Sequence, residues 1–192
     1  MKHAEKAIAA GADGLMLTCA GAGGHTGFLT PMAFVPAVRR NFDGLLIVAG
    51  GIADAHGIAA SLALGGDIAC MGTRFIATPE SGVVEGHRAM IPTVNADDIV
   101  ASAAMNGVPA HWMRQSIEAV GLDAKTLPTV RSPMPDGVMP WRDIWSAGQS
   151  AGLIDAVEPV ANLVARLRME FQALPAAPDW RGRLADRTQG WT

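Results

Sequence analysis

The fold is decided by the stretch LLIVAGGIADAHGIAASLALGGDIACMGT, residues 45–73. Its first five residues are continuously apolar and end at two glycines, which predicts a strand. Asp54 is a good N-cap for a helix that we expect to continue to about residue 64. A second apolar run, residues 67–71, then ends at Gly72 and Thr73. This order of strand, helix and strand is typical of a parallel α/β fold.

The flanking sequence extends the same pattern in both directions. Residues 14–19 form another continuously apolar run, which predicts a first strand that is buried on both faces in a parallel sheet. We expect helices over 3–10 and 31–41 around it, and a further helix over 79–90. The spacing of the three strands is that of consecutive strand–helix units, so we predict an α/β fold.

The pattern changes after about residue 95. Residues 99–105 are compatible with a strand or with a helical turn, and a short helix is expected over 116–120. The segment 125–140 contains four prolines, which predicts a loop. Residues 157–174 predict an amphipathic helix whose apolar stripe consists of Val160, Leu163, Val164, Leu167 and Phe171. We expect the last residues, 175–192, to be a loosely held tail.

Composition and charge exclude several classes of protein. The chain has 192 residues, of which 49% are hydrophobic and 17% are charged, as in an ordinary globular domain. Its net charge of −3 offers no basic surface for nucleic acid or an anionic membrane. It has no uninterrupted apolar run of 18 residues and no signal peptide at its start. Cys19 and Cys70 are expected to be free thiols, which favours a cytoplasmic location.

Two glycine turns follow neighbouring strands of the predicted sheet. Gly50 and Gly51 end one strand, and Gly72 and Thr73 end the next. Backbone N–H groups at such turns can approach an anion closely, so the pair predicts a split phosphate site, although glycines also serve simply as tight turns. The loop 21–27, GAGGHTG, nearly matches the dinucleotide motif GxGxxG. However, Thr26 replaces its third glycine and the expected acidic residue is missing, so we reject that fold.

His25 is the main candidate for acid–base chemistry. It lies in the glycine-rich loop after the first strand, where a parallel sheet carries its site, although a surface histidine in a loop is equally common. His3, His56 and His87 fall in predicted helices and are expected on solvated faces, whereas His111 is a weaker candidate in a loop at 107–112. The spacing of His, Cys and Asp residues suggests no metal site.

Four segments together resemble the nitronate monooxygenase family, which is also called the 2-nitropropane dioxygenases. They are AGGHTG at 22–27, VAGGIA at 48–53, MGTRF at 71–75 and WRDIWSAGQ at 141–149. The resemblance implies a TIM barrel that binds FMN and oxidises alkyl nitronates or nitroalkanes with dioxygen to a carbonyl compound and nitrite. His25 would be the catalytic base. The implied FMN-binding residues are Gly23, Gly24, Gly50, Gly51, Gly72, Thr73 and Gln149.

The length of the chain qualifies this interpretation. A barrel has eight strands and typically about 250 residues, whereas only three strands, with a fourth in question, are predicted here. We therefore expect an incomplete barrel that corresponds to the C-terminal half, divided into a partial barrel over 1–95, a loop-rich segment returning to the flavin over 96–155, and a helix and tail over 156–192. The free sheet edges favour a homo-oligomer.

Three other functions stay open from the sequence. An FMN-type enoyl reductase shares the AGGH and glycine-turn pattern, and an NAD(P)H-dependent flavin reductase is a related alternative. The chain is also compatible with a truncated fragment that is catalytically silent. Retention of flavin and turnover of nitroalkanes or enoyl thioesters would distinguish these alternatives.

Overall fold

A computed structural model describes residues 1–175 of the chain. Three parallel strands form the first sheet in the order β1 (Gly14–Thr18), β3 (Leu45–Ala49) and β4 (Ile68–Cys70). Met16 lies opposite Ile47 in β3, and Ile47 lies opposite Ile68 in β4. The helices of this part are α1 (Lys2–Ala9), α2 (Pro31–Arg39) and α3 (Ala55–Ala63). The predicted strand–helix order is therefore confirmed, with ends that differ by one or two residues.

The helices pack on one face of this sheet. Leu17, Leu46 and Val48 point to that face and form a core with Val35 and Val38 of α2. The start of α3 is fixed as predicted, because the Asp54 carboxylate accepts a hydrogen bond of 2.7 Å from the backbone N–H of Gly57. Because successive side chains of a strand point to opposite faces, only every second residue reaches this core.

The opposite face of the sheet is exposed, so the prediction that β1 is buried on both faces is wrong. Met16 is 56% exposed, Leu45 is 44% exposed and Ile68 is 46% exposed. A continuously apolar sequence is typical of a strand that is buried on both faces, but the sequence does not show whether anything packs on the second face. Within residues 1–175, nothing buries these three side chains.

A second, antiparallel sheet combines a short strand of the glycine-rich loop with two strands from later in the chain, in the order β2 (Gly24–His25), β6 (Ala110–Met113) and β5 (Ile99–Ser102). Of the two alternatives predicted for residues 99–105, the structure shows the strand, which is β5. The prediction of a loop over 107–112 is wrong, because β6 begins at Ala110. All four residues of β6 are buried, so the segment lacks the polar alternation that marks a half-exposed strand. Trp112 packs there against Ile117 of α6 (Arg114–Ala119) and Ile144.

Two predicted helices differ from the structure. The helix predicted over 79–90 is shorter in the structure, where α5 (Glu85–Met90) begins only after a turn that contains Pro79 and Gly82. A short helix that was not predicted, α4 (Thr73–Ile76), precedes this turn. The last helix, α7 (Val160–Ala173), starts after Pro159. Its apolar stripe is narrower than predicted, since Leu163 and Leu167 are buried but Val164 and Phe171 are exposed.

The remaining expectations concern the loop, the thiols and the tail. Residues 125–140 contain no helix or strand, as predicted. Cys19 and Cys70 are free thiols, and burial raises the pKa of Cys19 to about 11. The predicted tail lies, from residue 176 onward, outside the described residues. No helix within the described part of the chain is long and apolar enough to cross a membrane.

The one-sided core predicts unequal effects of two neighbouring leucines. Leu46→Ala should lower the free energy of unfolding by about 2–5 kcal/mol, because Leu46 is fully buried. Leu45→Ala should lower it much less, because Leu45 points to the exposed face. Urea unfolding of both variants measures the difference, and equal losses would contradict the one-sided packing.

Candidate functional site

A cavity of about 320 Å³ lies where the three parallel strands end. Thr18, Ala49 and Cys70, which are the last residues of β1, β3 and β4, contribute to its wall. Its volume falls in the range of small-molecule sites, and its position at the carboxyl ends of parallel strands is the usual one for a ligand. Seven of the eight site residues predicted from the sequence line this cavity, namely Gly23, Gly24, His25, Gly50, Gly51, Gly72 and Thr73.

The glycine turns leave open space along this wall. Gly50 and Gly51 have φ angles of 125° and 75°, which residues with a side chain rarely adopt. A Cβ built on Gly51 or Gly72 would meet no protein atom within 4 Å. Both residues line the cavity, so the space beside them is available to a ligand that approaches the backbone closely.

Three distant segments of the chain meet at the floor of the cavity. The Gly148 N–H donates a buried hydrogen bond of 2.8 Å to Thr73 Oγ1. Gly23 packs so closely on the same loop that a Cβ there would lie 2.6 Å from the Gly148 nitrogen. The Gln149 N–H donates to the Gly21 carbonyl at 3.0 Å, which holds the late loop beside the glycine loop. Gln149 itself is exposed and does not line the cavity, whereas Ser146 and Ser150 of the same loop do.

His25 lies at the mouth of the cavity in the short strand β2. Its imidazole is exposed, and its Nε2 lies 3.0 Å from the amide Nδ2 of Asn106. The ring also meets Trp141 edge to face, with 5.4 Å between the ring centroids. Sequence reasoning missed Asn106 because it lies 81 residues from His25 along the chain. Trp141 is the first residue of the WRDIWSAGQ motif, and this motif is the sequence signal that could have placed Trp141 at the site.

Two other histidines differ from their predicted roles. His87 is buried, not solvated: its Nε2 lies 2.9 Å from the Ser146 carbonyl and its ring stacks on Trp145. His111 is also buried and does not line the cavity, because its Nδ1 binds the Ala22 carbonyl at 2.7 Å. A carbonyl only accepts, so both rings act as donors that fix loops of the cavity. His3 and His56 are exposed, as predicted.

A buried ion pair connects the cavity wall to the C-terminal helix. Arg74, which follows Thr73 in α4, is 3% exposed and pairs with Glu158. Glu158 also pairs with Arg166 of α7 at 2.5 Å. Burial, and secondarily the nearby Arg166, lowers the pKa of Arg74. Among the described residues, no cluster of His, Cys, Asp and Glu side chains could hold a metal ion.

Comparison with protein families gives a match over most of the chain. The family model described as nitronate monooxygenase matches residues 1–170. The chain belongs to the nitronate monooxygenase family. Sequence and structure searches find relatives that are named nitronate monooxygenases and relatives with other names.

The individual relatives are all longer than this chain. It is 31% identical over 194 residues to a nitronate monooxygenase of Paraburkholderia phytofirmans, a match that covers 90% of this chain and 52% of the relative. It is similar to FabK from Thermotoga maritima, with a TM-score of 0.71, 30% identity and coverage of 100% of this chain and 61% of that one. It is also similar to a nitroalkane oxidase from Streptomyces ansochromogenes, with a TM-score of 0.71, 28% identity and coverage of 89% and 55%. The chain thus spans about half the length of the first curated relative.

The buried His87 predicts a pH dependence of stability. Burial lowers its pKa below the ordinary value of 6.5, although the hydrogen bond to Ser146 partly opposes this. The unfolded state therefore binds the proton more readily, so the free energy of unfolding should fall as the pH decreases below about 6.5.

Replacement of His87 should remove this part of the pH dependence. His87→Gln retains an N–H donor for the Ser146 carbonyl but does not titrate, so thermal or urea unfolding between about pH 7.5 and 5 should give a flatter profile. His56→Gln is the control, because His56 is exposed on α3. If the free energy of unfolding depends on pH in His87→Gln as it does in the unmodified protein, buried His87 is not the source of this pH dependence.

Proposed function

We propose that this chain binds FMN in the cavity at the strand ends and takes part in the oxidation of alkyl nitronates or nitroalkanes by dioxygen to a carbonyl compound and nitrite. The observation that carries this proposal is the convergence of Gly51, Gly72, Thr73 and His25 on one cavity. The residues come from separate strand ends, as in other sites at the carboxyl edge of parallel strands. Membership of the nitronate monooxygenase family supports the same reaction.

The glycine turns are the proposed phosphate end of the site. A phosphate needs close approach to backbone N–H donors, and the open space beside Gly51 and Gly72 permits that approach. Thr73 Oγ1 accepts a hydrogen bond from Gly148, which leaves its hydroxyl proton available to donate. These residues therefore fit a flavin phosphate. Gly23, Gly24, Gly50 and Gln149 are the further residues proposed to contact or shape the flavin site.

His25 is the proposed base. A C–H bond next to a nitro group is acidic, so a neutral imidazole is sufficient to accept its proton. His25 is exposed at the mouth of the cavity, where a small carbon acid can reach it. When bound, the flavin supplies the oxidation–reduction chemistry, and the protein supplies the base and the phosphate site.

The proposed architecture is an incomplete β/α barrel. The parallel order of β1, β3 and β4 and the similarity to FabK and the nitroalkane oxidase support it. We retain the division into a partial barrel over 1–95, a segment returning to the flavin over 96–155 and a helical end over 156–192. Within residues 1–175 no further strand pairs with the outer edges of β1 and β4, and these edges, with the exposed Met16, support association into a homo-oligomer. The free thiols support a cytoplasmic location.

An FMN-type enoyl reductase is the second candidate function, and the similarity to FabK is the observation that favours it. The two candidates make different demands on substrate and reductant. Turnover of a nitroalkane with dioxygen and without NAD(P)H supports the first, and NAD(P)H-dependent reduction of an enoyl thioester supports the second. If the protein shows neither activity and retains no flavin, both candidate functions are refuted.

A side chain at Gly72 should block the phosphate end of the cavity. Gly72→Val should raise the Kd for FMN by about tenfold or more, because the new side chain would occupy the space beside the backbone that the phosphate needs. A tenfold rise in Kd corresponds to a loss of about 1.4 kcal/mol of binding free energy. Quenching of flavin fluorescence measures the Kd. Gly82→Val is a matched control: its Cβ also meets no protein atom within 4 Å, but Gly82 does not line the cavity. Equal FMN binding by both variants would refute the proposed phosphate position.

Removal of the proposed base should separate catalysis from flavin binding. His25→Ala should lower kcat for nitroalkane oxidation by about 10²–10⁴-fold, the usual contribution of a general base, while FMN stays bound. Oxygen consumption and the flavin absorbance measure the two effects, and His56→Ala is the control. Undiminished turnover by His25→Ala would exclude His25 as the base.

A further inference from the structure

Asn106 is the polar neighbour of the proposed base. Its amide nitrogen lies 3.0 Å from Nε2 of His25, and its amide oxygen accepts a hydrogen bond of 3.1 Å from the Val108 N–H. The second contact fixes the orientation of the amide. In the reversed orientation the NH₂ group would face the Val108 N–H, and two donors would oppose each other.

This orientation determines what His25 can do at Nε2. An amide nitrogen carries hydrogens but no available lone pair, so it can only donate. Nε2 of His25 must then be the acceptor, and in the neutral ring the hydrogen must be on Nδ1. We propose that Asn106 is a positioning residue that holds His25 in the Nδ1–H tautomer, with the lone pair on Nε2.

The backbone holds Asn106 and His25 in place from two directions. Asn106 lies in the turn between β5 and β6, which is closed by a hydrogen bond of 2.8 Å from the Gly107 N–H to the Ala103 carbonyl. β6 also pairs with β2, and Ala110 is the partner of His25 in that ladder. The edge of Trp141 supports the imidazole from another side. An exposed imidazole without these contacts would exchange freely between its two tautomers.

The tautomer has a consequence for the proposed reaction, and this consequence rests on the proposed function. Nε2 is then the atom that takes the proton, and the carbon acid replaces the Asn106 N–H at that lone pair. The C–H bond breaks, the proton moves to Nε2, and the electron pair stays on the substrate as the nitronate. Asn106 itself transfers no proton; it keeps Nε2 of His25 free of hydrogen.

The tautomer can be measured directly by NMR of the imidazole nitrogens in protein labelled with ¹⁵N-histidine. Spectra recorded over a pH series identify the neutral form of each ring, in which one of the two nitrogens carries the hydrogen. The protein contains a reference for each tautomer: His111 donates through Nδ1 to Ala22, and His87 donates through Nε2 to Ser146. His25 should show the Nδ1–H pattern of His111, and His25→Gln assigns its signals by their loss.

Asn106→Asp is the sharpest variant. The carboxylate still accepts from the Val108 N–H but has no hydrogen to donate, so His25 should change to the Nε2–H pattern of His87. With FMN bound, kcat for nitroalkane oxidation should fall by about tenfold or more, a part of the 10²–10⁴-fold that a general base supplies. Asn162→Ala, at an exposed position of α7, should change neither the tautomer nor kcat.

Each outcome decides a separate point. An Nε2–H pattern for His25 in the unmodified protein overturns the proposal, and this measurement needs no variant to fold. A tautomer that changes in Asn106→Asp without any loss of kcat overturns the positioning role. The Nδ1–H pattern in a protein that oxidises no nitroalkane supports the tautomer and refutes only the proposed function.

Discussion

The candidate site depends on the hydrogen bond from the Gly148 N–H to the Thr73 hydroxyl. This bond is buried, and a buried N–H left without an acceptor costs about 1–3 kcal/mol. It joins the end of β4 to a loop that is 75 residues away in sequence. Gly23 must lie against the same point, and it can do so only because neither Gly23 nor Gly148 has a side chain. The floor of the cavity is therefore formed by closely packed backbone segments, and the absence of side chains at Gly23 and Gly148 determines its shape.

The two sheets position different parts of the site. The parallel sheet brings the glycine turns after β3 and β4 to one edge, which is where we place the phosphate. The antiparallel sheet holds His25 through β2 and brings the turn with Asn106 beside it. His111 of β6 holds the glycine loop in place, because its Nδ1 donates to the Ala22 carbonyl. The proposed phosphate site and the proposed base therefore belong to different sheets, and substitutions can test them separately.

Local patterns predicted the parallel strands, the Asp54 cap and the glycine turns, because each is determined by residues close together in sequence. They could not predict which face of the sheet is covered, since Leu45 and Leu46 look alike in sequence and differ only in what packs on them. β6 was missed because burial on both faces removes the alternation that identifies a strand. His87 was misplaced because Trp145, 58 positions later, covers it, and Asn106 reaches His25 only through the pairing of β2 with β6.

The placement of a flavin phosphate at the glycine turns is tested most directly by comparing FMN with riboflavin, which lacks the phosphate. Titration of ¹⁵N-labelled protein with each ligand measures the affinity and the backbone amides that respond. FMN should bind about tenfold or more tightly than riboflavin, a difference of at least roughly 1.4 kcal/mol. FMN alone should shift the amide signals of Gly51, Gly72 and Thr73. Equal affinity for the two flavins, or shifts confined to amides outside the cavity, would contradict this placement.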